Sequence, residues 1–350
     1  MNMNIRSWAE FSVLVTGASG TIGREIVSRL ADIGVSRLVG VDNNESEIFY
    51  LSEQYQNVKH LQFYVADVRD RDRMEEAMCG HDVVIHAAAL KHVYICERSP
   101  RDAVQTNVQG TLNVIEAARS AGVKRVIFTS SDKAVNPTGV LGTSKLMGER
   151  LITAAANQSN NGGPIFASTR FGNVIGSRGS VAPLFYQQIS TGGPVTLTNN
   201  DMTRFMMTLR EAADLVLESA FLAVGGEIFV PKMPVIRMPD LAAVMIEIIA
   251  RKYDYSPTDI VVKTIGARAG EKFYEELLND EEIRRAIELE NVFVIIPTLG
   301  VDTDSKIGAH WAEMGQPVER PYKSSVEPPM SQSEIRDFLQ VHNVLSQLHR

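Results

Sequence analysis

The residues best suited to chemistry lie together in the stretch TSSDKAVNPTGVLGTSK, which covers residues 129–145. Its start places a hydroxyl, a carboxyl and an amine in a row at Ser131, Asp132 and Lys133, and its end adds a second amine at Lys145. A carboxyl and an amine side by side can exchange protons with a substrate when burial and neighbouring charges shift their pKa values. The alternative is a surface turn, because Asp and Asn-Pro are also common turn residues.

An alternation of strand and helix patterns predicts where this stretch lies. The predicted strands cover residues 11–15, 37–41, 61–65, 83–86, 125–129 and 165–169. Helical periodicity lies between them, over residues 20–33, 70–78, 100–121 and 143–157. Strands that are apolar on both faces and separated by helices indicate an α/β fold, a Rossmann-like doubly wound parallel sheet. Ligands of such sheets bind at the carboxyl ends of the strands, and the fifth strand ends directly before Asp132.

The second half of the chain has a less regular pattern, which predicts a smaller substrate-binding lobe interleaved with the sheet. Residues 1–172 form the predicted NAD(P)-binding Rossmann domain, and residues 173–330 form mainly the substrate lobe. A strand at 227–230 is expected to return to the main sheet. Residues 331–350 form a predicted C-terminal helix, which acts either as a docking helix or as a lid.

A glycine-rich turn between the first predicted strand and helix predicts a dinucleotide site. The segment VLVTGASGTIGREIV has the pattern GxxGxxG. Glycines let the backbone approach a pyrophosphate, and the helix N-terminus directs free N–H groups at its charge. A turn in which glycine serves only packing is the alternative. The predicted contacts are Gly17, Ser19, Gly20, Thr21, Ile22 and Gly23.

An acidic residue after the second strand bears on the choice of dinucleotide. Asp42 follows the loop by about 20 residues, where a carboxylate accepts hydrogen bonds from the ribose hydroxyls and repels a 2′-phosphate. No arginine follows in NNESEIF, so the pattern favours NAD and leaves NADP as the alternative. A cap for the next helix is the other role open to Asp42. Further predicted cofactor contacts after the third and fourth strands are Asp67, Val68, Ala87, Ala88 and Ala89.

Composition argues against several other classes of protein. The formal net charge is -7 and there is no dense basic run, so no nucleic-acid partner is expected. No apolar run approaches the ~20 residues that span a bilayer, and the N-terminus lacks a signal core, so we expect a cytoplasmic protein with no transmembrane segment. Cys79 and Cys96 do not make a disulfide framework. His310, His342 and His349 lie outside any ligand-like spacing, so no metal is predicted.

Seven motifs, in order along the chain, carry a family resemblance: TGASGTIG, AALKHV, NVQGTLNVIEAA, SSDKAVNPTGVLGTSK, RFGNVIGSRGSVAPLF, MTRFMMT and ARAGEKFYEEL. Together they resemble the nucleotide-sugar 4,6-dehydratases of the polysaccharide-biosynthesis branch of the extended short-chain dehydrogenases. The resemblance runs over residues 11–297. It implies UDP-N-acetylglucosamine as the usual substrate and a UDP-4-keto-6-deoxy sugar as the product, with carbon 5 retained or inverted. It also implies self-association into homo-oligomers.

The resemblance implies a role for each polar residue of the 129–145 stretch. A hydride leaves carbon 4 for the nicotinamide, Lys133 takes the carbon-5 proton, Asp132 helps to expel the carbon-6 hydroxyl, and the hydride returns to carbon 6. Ser131 positions the sugar, Lys145 holds the nicotinamide ribose, and Asn107 is a further cofactor contact. Burial is expected to lower the pKa of Lys133 beside Lys145, and to raise the pKa of Asp132.

One position departs from the superfamily pattern. Many members place tyrosine four residues before the lysine, to accept the proton of the carbon-4 hydroxyl, whereas this chain has Leu141. Leucine cannot accept a proton. A subset of similar dehydratases carries methionine there, so the departure is compatible with an active enzyme. Asp132, Lys133 or an ordered water is then expected to take the carbon-4 proton.

The resemblance also implies contacts to the nucleotide sugar. Arginine suits phosphate through its fork of donors, and a short strand at 192–198 is expected to address the uracil. The predicted contacts are Lys91, Asn173, Arg178, Val195, Thr196, Arg204, Arg268 and Glu271. Two competing functions are a UDP-sugar 4-epimerase, which has no use for a carbon-5 base, and a catalytically silent regulatory protein that binds NAD and a UDP-sugar.

Overall fold

The computed structural model describes residues 8–159, 162–266, 271–298 and 306–348. The chain forms two compact units, and each is built from three separate segments. The first unit comprises residues 1–171, 212–232 and 278–321, and the second comprises residues 172–211, 233–277 and 322–350. The predicted interleaving of a smaller lobe with the sheet domain is therefore confirmed.

The strands and helices are numbered in chain order. The strands are β1 Ser12–Thr16, β2 Arg37–Asp42, β3 Leu61–Val65, β4 Val83–His86, β5 Arg125–Ser131, β6 Ile165–Phe171, β7 Asn173–Val174, β8 Val195–Leu197, β9 Thr203–Met207, β10 Ile228–Pro231, β11 Val235–Arg237, β12 Val262–Thr264, β13 Glu276–Leu278, β14 Ala286–Glu288, β15 Val292–Ile295, β16 Gln316–Pro317 and β17 Tyr322–Lys323. The helices are α1 Thr21–Ile33, α2 Glu45–Gln54, α3 Arg71–Met78, α4 Val93–Arg98, α5 Pro100–Ala103, α6 Gly110–Ser120, α7 Val140–Gln158, α8 Val181–Ser190, α9 Leu209–Leu222, α10 Met238–Ile249, α11 Lys306–Met314, α12 Gln332–Val341 and α13 Val344–Gln347.

A large sheet dominates the first unit, in the order β16-β14-β15-β10-β6-β5-β4-β1-β2-β3. From β10 to β3 all neighbouring strands are parallel, whereas β15, β14 and β16 add an antiparallel edge. The doubly wound parallel sheet is thus confirmed, and β10 returns to pair with β6 as predicted. The strand order reverses between β1 and β4, which is where ligands of such folds bind.

Apolar residues on both faces of the central strands explain why they form the middle of the sheet. All five residues of β1 and all four of β4 are buried. Leu14 and Val84 share one core cluster with Met74 of α3 and Val114 of α6. Full burial of such a side chain contributes roughly 1.5–3 kcal/mol, so covering both faces with helices holds the strand ends in place.

The predicted helix over residues 100–121 is interrupted in the structure. It consists of α5, a π-helical turn at Val104–Gln109, and α6. π-helical turns insert an extra residue into a helix and are frequent at functional sites. Asn107 lies in this turn and is buried.

The second unit has its own small sheets and its own core. It contains the sheet β11-β9-β7 and the parallel pair β8-β12. Helix α12 buries Ile335 and Leu339 in the same cluster as Leu241 of α10, and its N-terminus has a capping box between Ser331 and Glu334. The C-terminal helix is therefore docked within this unit. Within the described part of the chain, no helix has both the length and the apolarity to cross a bilayer.

Candidate active site

The glycine-rich turn connects β1 to α1 at the carboxyl end of the sheet. Gly17 has a φ of +69°, and a Cβ at this position would lie 2.6 Å from the backbone nitrogen of Ala88. Any residue other than glycine would therefore have a strained backbone here, and its Cβ would collide with the backbone of Ala88. Gly20 is the N-cap of α1 and offers no side-chain cap, so the first N–H groups of the helix are left for another acceptor.

Asp42 closes one side of this turn. Its carboxylate accepts hydrogen bonds from the backbone N–H groups of Ser19 at 3.2 Å and Asn44 at 3.0 Å. The capping role belongs to Asn44, whose side chain accepts from the backbone N–H of Glu47 at the start of α2. Asn44, and not Asp42, therefore caps α2. The Asp42 carboxylate faces the glycine-rich turn instead.

A cavity lies beside the turn. Its volume of about 440 Å³ is within the range of sites that bind small molecules. Its lining includes the predicted cofactor contacts Gly17, Gly20, Asp42, Asp67, Val68, Ala87, Ala88 and Ala89. Ser19, Thr21, Ile22 and Gly23 belong to the adjoining turn and the start of α1. The sequence analysis missed five polar lining residues, Asn43, Arg69, Ser99, Asp102 and Thr106.

Two observations fit this site to a dinucleotide. The hydroxyl of Thr21 is buried and has no hydrogen-bond partner in the protein, although it stands at the first residue of α1. The first turn of α1 also lacks an acidic residue. A pyrophosphate would supply the missing acceptor and would be stabilised by the positive end of the helix.

The predicted catalytic residues Ser131, Asp132 and Lys133 form one hydrogen-bonded cluster where β5 runs into a 3-10 turn at Asp132–Ala134. The Ser131 hydroxyl donates to Asp132 Oδ1 at 2.6 Å, and Lys133 Nζ donates to Oδ1 at 3.1 Å and to Oδ2 at 3.0 Å. The Asp132 side chain is 2% exposed, whereas that of Lys133 is 33% exposed. Protons can therefore pass among the hydroxyl, the carboxyl and the amine without crossing bulk water.

Lys145 lies in the second turn of α7 and is buried. Its Nζ donates to the carbonyl oxygen of Thr129 at 3.0 Å and lies 4.7 Å from the centre of the Phe128 ring. Burial lowers the pKa of Lys145 to about 8, while the charges of Glu149 and Cys96 raise it. The ammonium is thus held at the end of β5 and changes its charge close to neutral pH.

Leu141 occupies the position of the superfamily tyrosine. It is buried and packs with Cys96 and Ala103. The next residue is Gly142, where a Cβ would lie 2.2 Å from the carbonyl oxygen of Lys133. Helix α7 therefore packs directly on the 3-10 turn at Asp132–Ala134, and the side chain of Leu141 contributes packing.

Asn107 connects the strand ends to α7. Its carboxamide accepts from the Leu90 N–H at 2.8 Å, donates to the Leu90 carbonyl at 3.1 Å, and donates to the Ser144 hydroxyl at 2.9 Å. Leu90 lines the cavity, and Ser144 precedes Lys145 on α7. Asn107 therefore connects one wall of the cavity to the helix that carries Lys145. Its predicted contact with the cofactor stays a prediction.

His86 is buried at the end of β4 and is bonded within the protein. Its ring nitrogens lie 2.7 Å from the Thr16 hydroxyl and 3.1 Å from the Thr111 hydroxyl. Burial and the charge of Lys145 lower the pKa of His86 to about 3. The imidazole is therefore neutral and acts as a packing residue.

In the second unit, Asn173 and Arg204 meet at a carboxylate that the sequence did not single out. Glu275 accepts from Asn173 Nδ2 at 2.6 Å and from the Phe205 N–H at 3.3 Å, and its carboxylate lies 3.3 Å from Arg204 Nε. The second Asn173 amide proton goes to the Phe205 carbonyl at 3.2 Å. These partners are 70 to 102 residues away from Glu275, so no local pattern could have revealed them.

The guanidinium of Arg204 has protein acceptors at each of its nitrogens. Nη1 donates to the carbonyls of Thr203 at 2.8 Å and Phe273 at 3.3 Å, and Nη2 donates to the Lys272 carbonyl at 2.9 Å and to Met202 Sδ at 2.8 Å. A phosphate would have to compete with these bonds. The phosphate roles of Asn173 and Arg204 remain predictions.

The other predicted substrate contacts lie in different surroundings. Val195 and Thr196 lie in β8, where the Val195 N–H donates to the Val261 carbonyl at 2.8 Å and the Thr196 N–H donates to the Gln188 side chain at 3.0 Å. Glu271 accepts from the Thr198 hydroxyl at 3.4 Å. Lys91 and Arg178 are exposed, in the first and second unit respectively. Arg268 lies outside the described residues.

Comparison with known proteins gives four findings. The family model described as "Polysaccharide biosynthesis protein" matches residues 13–297. A UDP-N-acetylglucosamine 4,6-dehydratase (inverting) of Campylobacter jejuni is 35% identical over 338 residues, covering 95% of this chain and 97% of that protein. A UDP-glucose 4-epimerase of Rickettsia rickettsii is 39% identical over 291 residues, covering 81% and 82%. The X-ray structure of Pen from Bacillus thuringiensis has a TM-score of 0.87 and 38% identity, covering 95% of this chain and 98% of that one.

Proposed function

This chain belongs to the polysaccharide biosynthesis protein family, a group of nucleotide-sugar dehydratases and epimerases, and on that premise we propose that it is a UDP-N-acetylglucosamine 4,6-dehydratase. The observation that carries the proposal is the bonded cluster of Ser131, Asp132 and Lys133. An elimination of water from carbons 5 and 6 needs a base and an acid on neighbouring atoms, and the cluster supplies both. The cofactor is a nicotinamide dinucleotide, with NAD favoured.

The cavity residues would hold the adenosine and pyrophosphate, and Lys145 would hold the nicotinamide ribose. A bound nicotinamide supplies reversible hydride transfer with the sugar. The protein residues must then manage three protons: the one on the carbon-4 hydroxyl, the one on carbon 5, and the one needed by the departing carbon-6 hydroxyl.

The cluster can manage these protons without a tyrosine. Ser131 passes the carbon-4 hydroxyl proton to the Asp132 carboxylate across their 2.6 Å hydrogen bond. Neutral Lys133 takes the carbon-5 proton, and protonated Asp132 gives its proton to the carbon-6 hydroxyl, which leaves as water. Lys133 finally returns its proton to carbon 5. Asp132 ends as a carboxylate and Lys133 as a neutral amine, so the starting state is restored.

Incubation with UDP-N-acetylglucosamine in deuterated water, followed by NMR of the product, tests the proposal. A 4,6-dehydratase yields a 4-keto-6-deoxy sugar in which carbon 5 carries solvent deuterium, and the coupling constants report whether carbon 5 has inverted. Unchanged mass together with a change of configuration at carbon 4 would instead indicate an epimerase, which the Rickettsia relative makes the second candidate. Tight binding of NAD and UDP without turnover would indicate a silent binding protein.

Replacing Leu141 with tyrosine tests the proton route. If Ser131 and Asp132 already accept the carbon-4 proton, Leu141→Tyr should leave kcat within about threefold of the wild type or lower it, because overpacking a buried site usually costs ~1–3 kcal/mol. Steady-state rates and thermal unfolding would be measured for both proteins. Leu141→Phe is the matched control, since it adds the ring without the hydroxyl. A rate at least about tenfold above that of the phenylalanine variant would contradict the route through Ser131.

A further inference from the structure

Arg69 is the single cation among the described residues that line the dinucleotide cavity. Its Nε lies 3.0 Å from both carboxylate oxygens of Asp67, and its Nη2 lies 2.5 Å from Asp67 Oδ2. The same carboxylate accepts from the Arg69 N–H at 2.9 Å and from Asn43 Nδ2 at 3.2 Å. The Asp67 carboxylate is therefore bound by both Asn43 and Arg69, and it fixes the position of the Arg69 guanidinium.

The charges around the cavity are unfavourable for an additional phosphate. Asp42, Asp67 and Asp102 line it together with Arg69, so its formal charge is about −2 when all four groups are ionised. The hydrogen bonds from Arg69 lower the pKa of Asp67 to about 2, so this carboxylate stays charged at neutral pH. Asp102 adds a second carboxylate that interacts electrostatically with Arg69.

We propose that the Asp67–Arg69 pair is a determinant of cofactor specificity that selects NAD by keeping Arg69 neutralised. The inference rests on the proposed dinucleotide cofactor and adds a residue pair to the effect of Asp42. An arginine near the adenosine ribose ordinarily favours NADP, because its fork of donors matches the 2′-phosphate. Here Asp67 occupies the edge of the fork formed by Nε and Nη2, so a 2′-phosphate that used this edge would have to break a bidentate ion pair in a cavity that already carries excess negative charge.

Binding of NAD and NADP to protein freed of dinucleotide, measured by isothermal titration calorimetry, tests the proposal without any need for turnover. The two ligands differ only in the 2′-phosphate. We expect Asp67→Asn to raise the affinity for NADP relative to NAD by about tenfold or more, because the freed guanidinium can form a charge-assisted hydrogen bond. The gain should disappear in the double variant Asp67→Asn/Arg69→Gln. Arg69→Gln alone should shift the ratio by less than about threefold, because Asp67 already occupies this guanidinium.

Asp102→Asn is the matched control, since it removes one carboxylate from the same cavity lining without releasing a bidentate pair. An equal shift in Asp102→Asn and Asp67→Asn would overturn the proposal, because it would reduce the effect to net charge. Survival of the gain in the double variant would also overturn it. If the wild-type protein bound neither dinucleotide, the cofactor part of the proposed function would fail first. If both bound with the same ratio in every variant, only the specificity inference would fail. Thermal unfolding would verify that each variant is folded.

Discussion

Asp132→Asn is expected to lower kcat by about 10³-fold, because asparagine keeps the shape of the side chain but can neither accept nor deliver a proton. In the proposed route this carboxyl acts twice, first receiving the carbon-4 proton through Ser131 and then protonating the carbon-6 hydroxyl. The rate would be followed by NMR of the product. The absorbance of reduced nicotinamide would be recorded in a single turnover, since it separates the two roles. A variant impaired in both should form neither product nor reduced nicotinamide.

Accumulation of reduced nicotinamide in Asp132→Asn would contradict the first role, because oxidation at carbon 4 would then proceed without Asp132. Two neighbouring serines provide a matched pair of substitutions, with Ser131 as the tested residue and Ser130 as its control. Ser131 donates to Asp132 at 2.6 Å, whereas the buried hydroxyl of Ser130 has no hydrogen-bond partner in the protein. Ser131→Ala should slow oxidation by about 10- to 100-fold, and Ser130→Ala should leave it unchanged within about threefold. Equal effects of the two substitutions would argue against a proton path through Ser131.

The parallel part of the sheet could be predicted because each central strand must bury both faces. A run such as Val83–His86, which is buried throughout, fits a central parallel strand that is covered on both faces. The antiparallel edge of β14 and β16 could not be predicted. These strands have three and two residues, which is too short for a period to show, and their pairing depends on contacts between distant segments.

The candidate site was predictable where its residues are contiguous and unpredictable where they converge. Ser131, Asp132 and Lys133 are neighbours in the chain, so their cluster could be expected once the strand before them was recognised. Glu275 could not be expected, because its partners come from distant segments. Arg69 could have been found from the sequence, because it follows β3 only two residues after Asp67 and a turn places the two side chains together.

A buried ionic triad connects three segments of the first unit. The guanidinium of Arg170 in β6 forms paired hydrogen bonds with Glu149 of α7 at 2.9 and 2.6 Å, and with Glu282 at 2.9 and 2.8 Å. The side chains are 0%, 1% and 4% exposed. Glu149 follows Lys145 by one helical turn, so the triad also anchors the helix that carries the site lysine.

Arg170→Met is therefore expected to lower the free energy of unfolding by about 3–5 kcal/mol, because it removes the guanidinium that is hydrogen-bonded to both buried carboxylates. Urea unfolding would measure the loss, with Arg150→Met as the matched control. Arg150 is the exposed arginine next to Glu149 on α7, and its loss should change stability by less than about 0.5 kcal/mol.

The pH dependence distinguishes the triad from simple packing. In the wild type, burial would raise the pKa of Glu282, but the charge and hydrogen bonds of Arg170 lower it below its usual range. The stability that Glu282 contributes is therefore present above the usual glutamate pKa and is lost as the pH falls. Without Arg170, burial is left to raise the pKa of Glu282, so protonation of Glu282 at low pH should reduce the destabilisation of the variant and narrow its difference in unfolding free energy from the wild type. A difference that stayed constant from neutral to acidic pH would show that Arg170 stabilises the sheet through its volume, and that the two carboxylates are compensated by other groups.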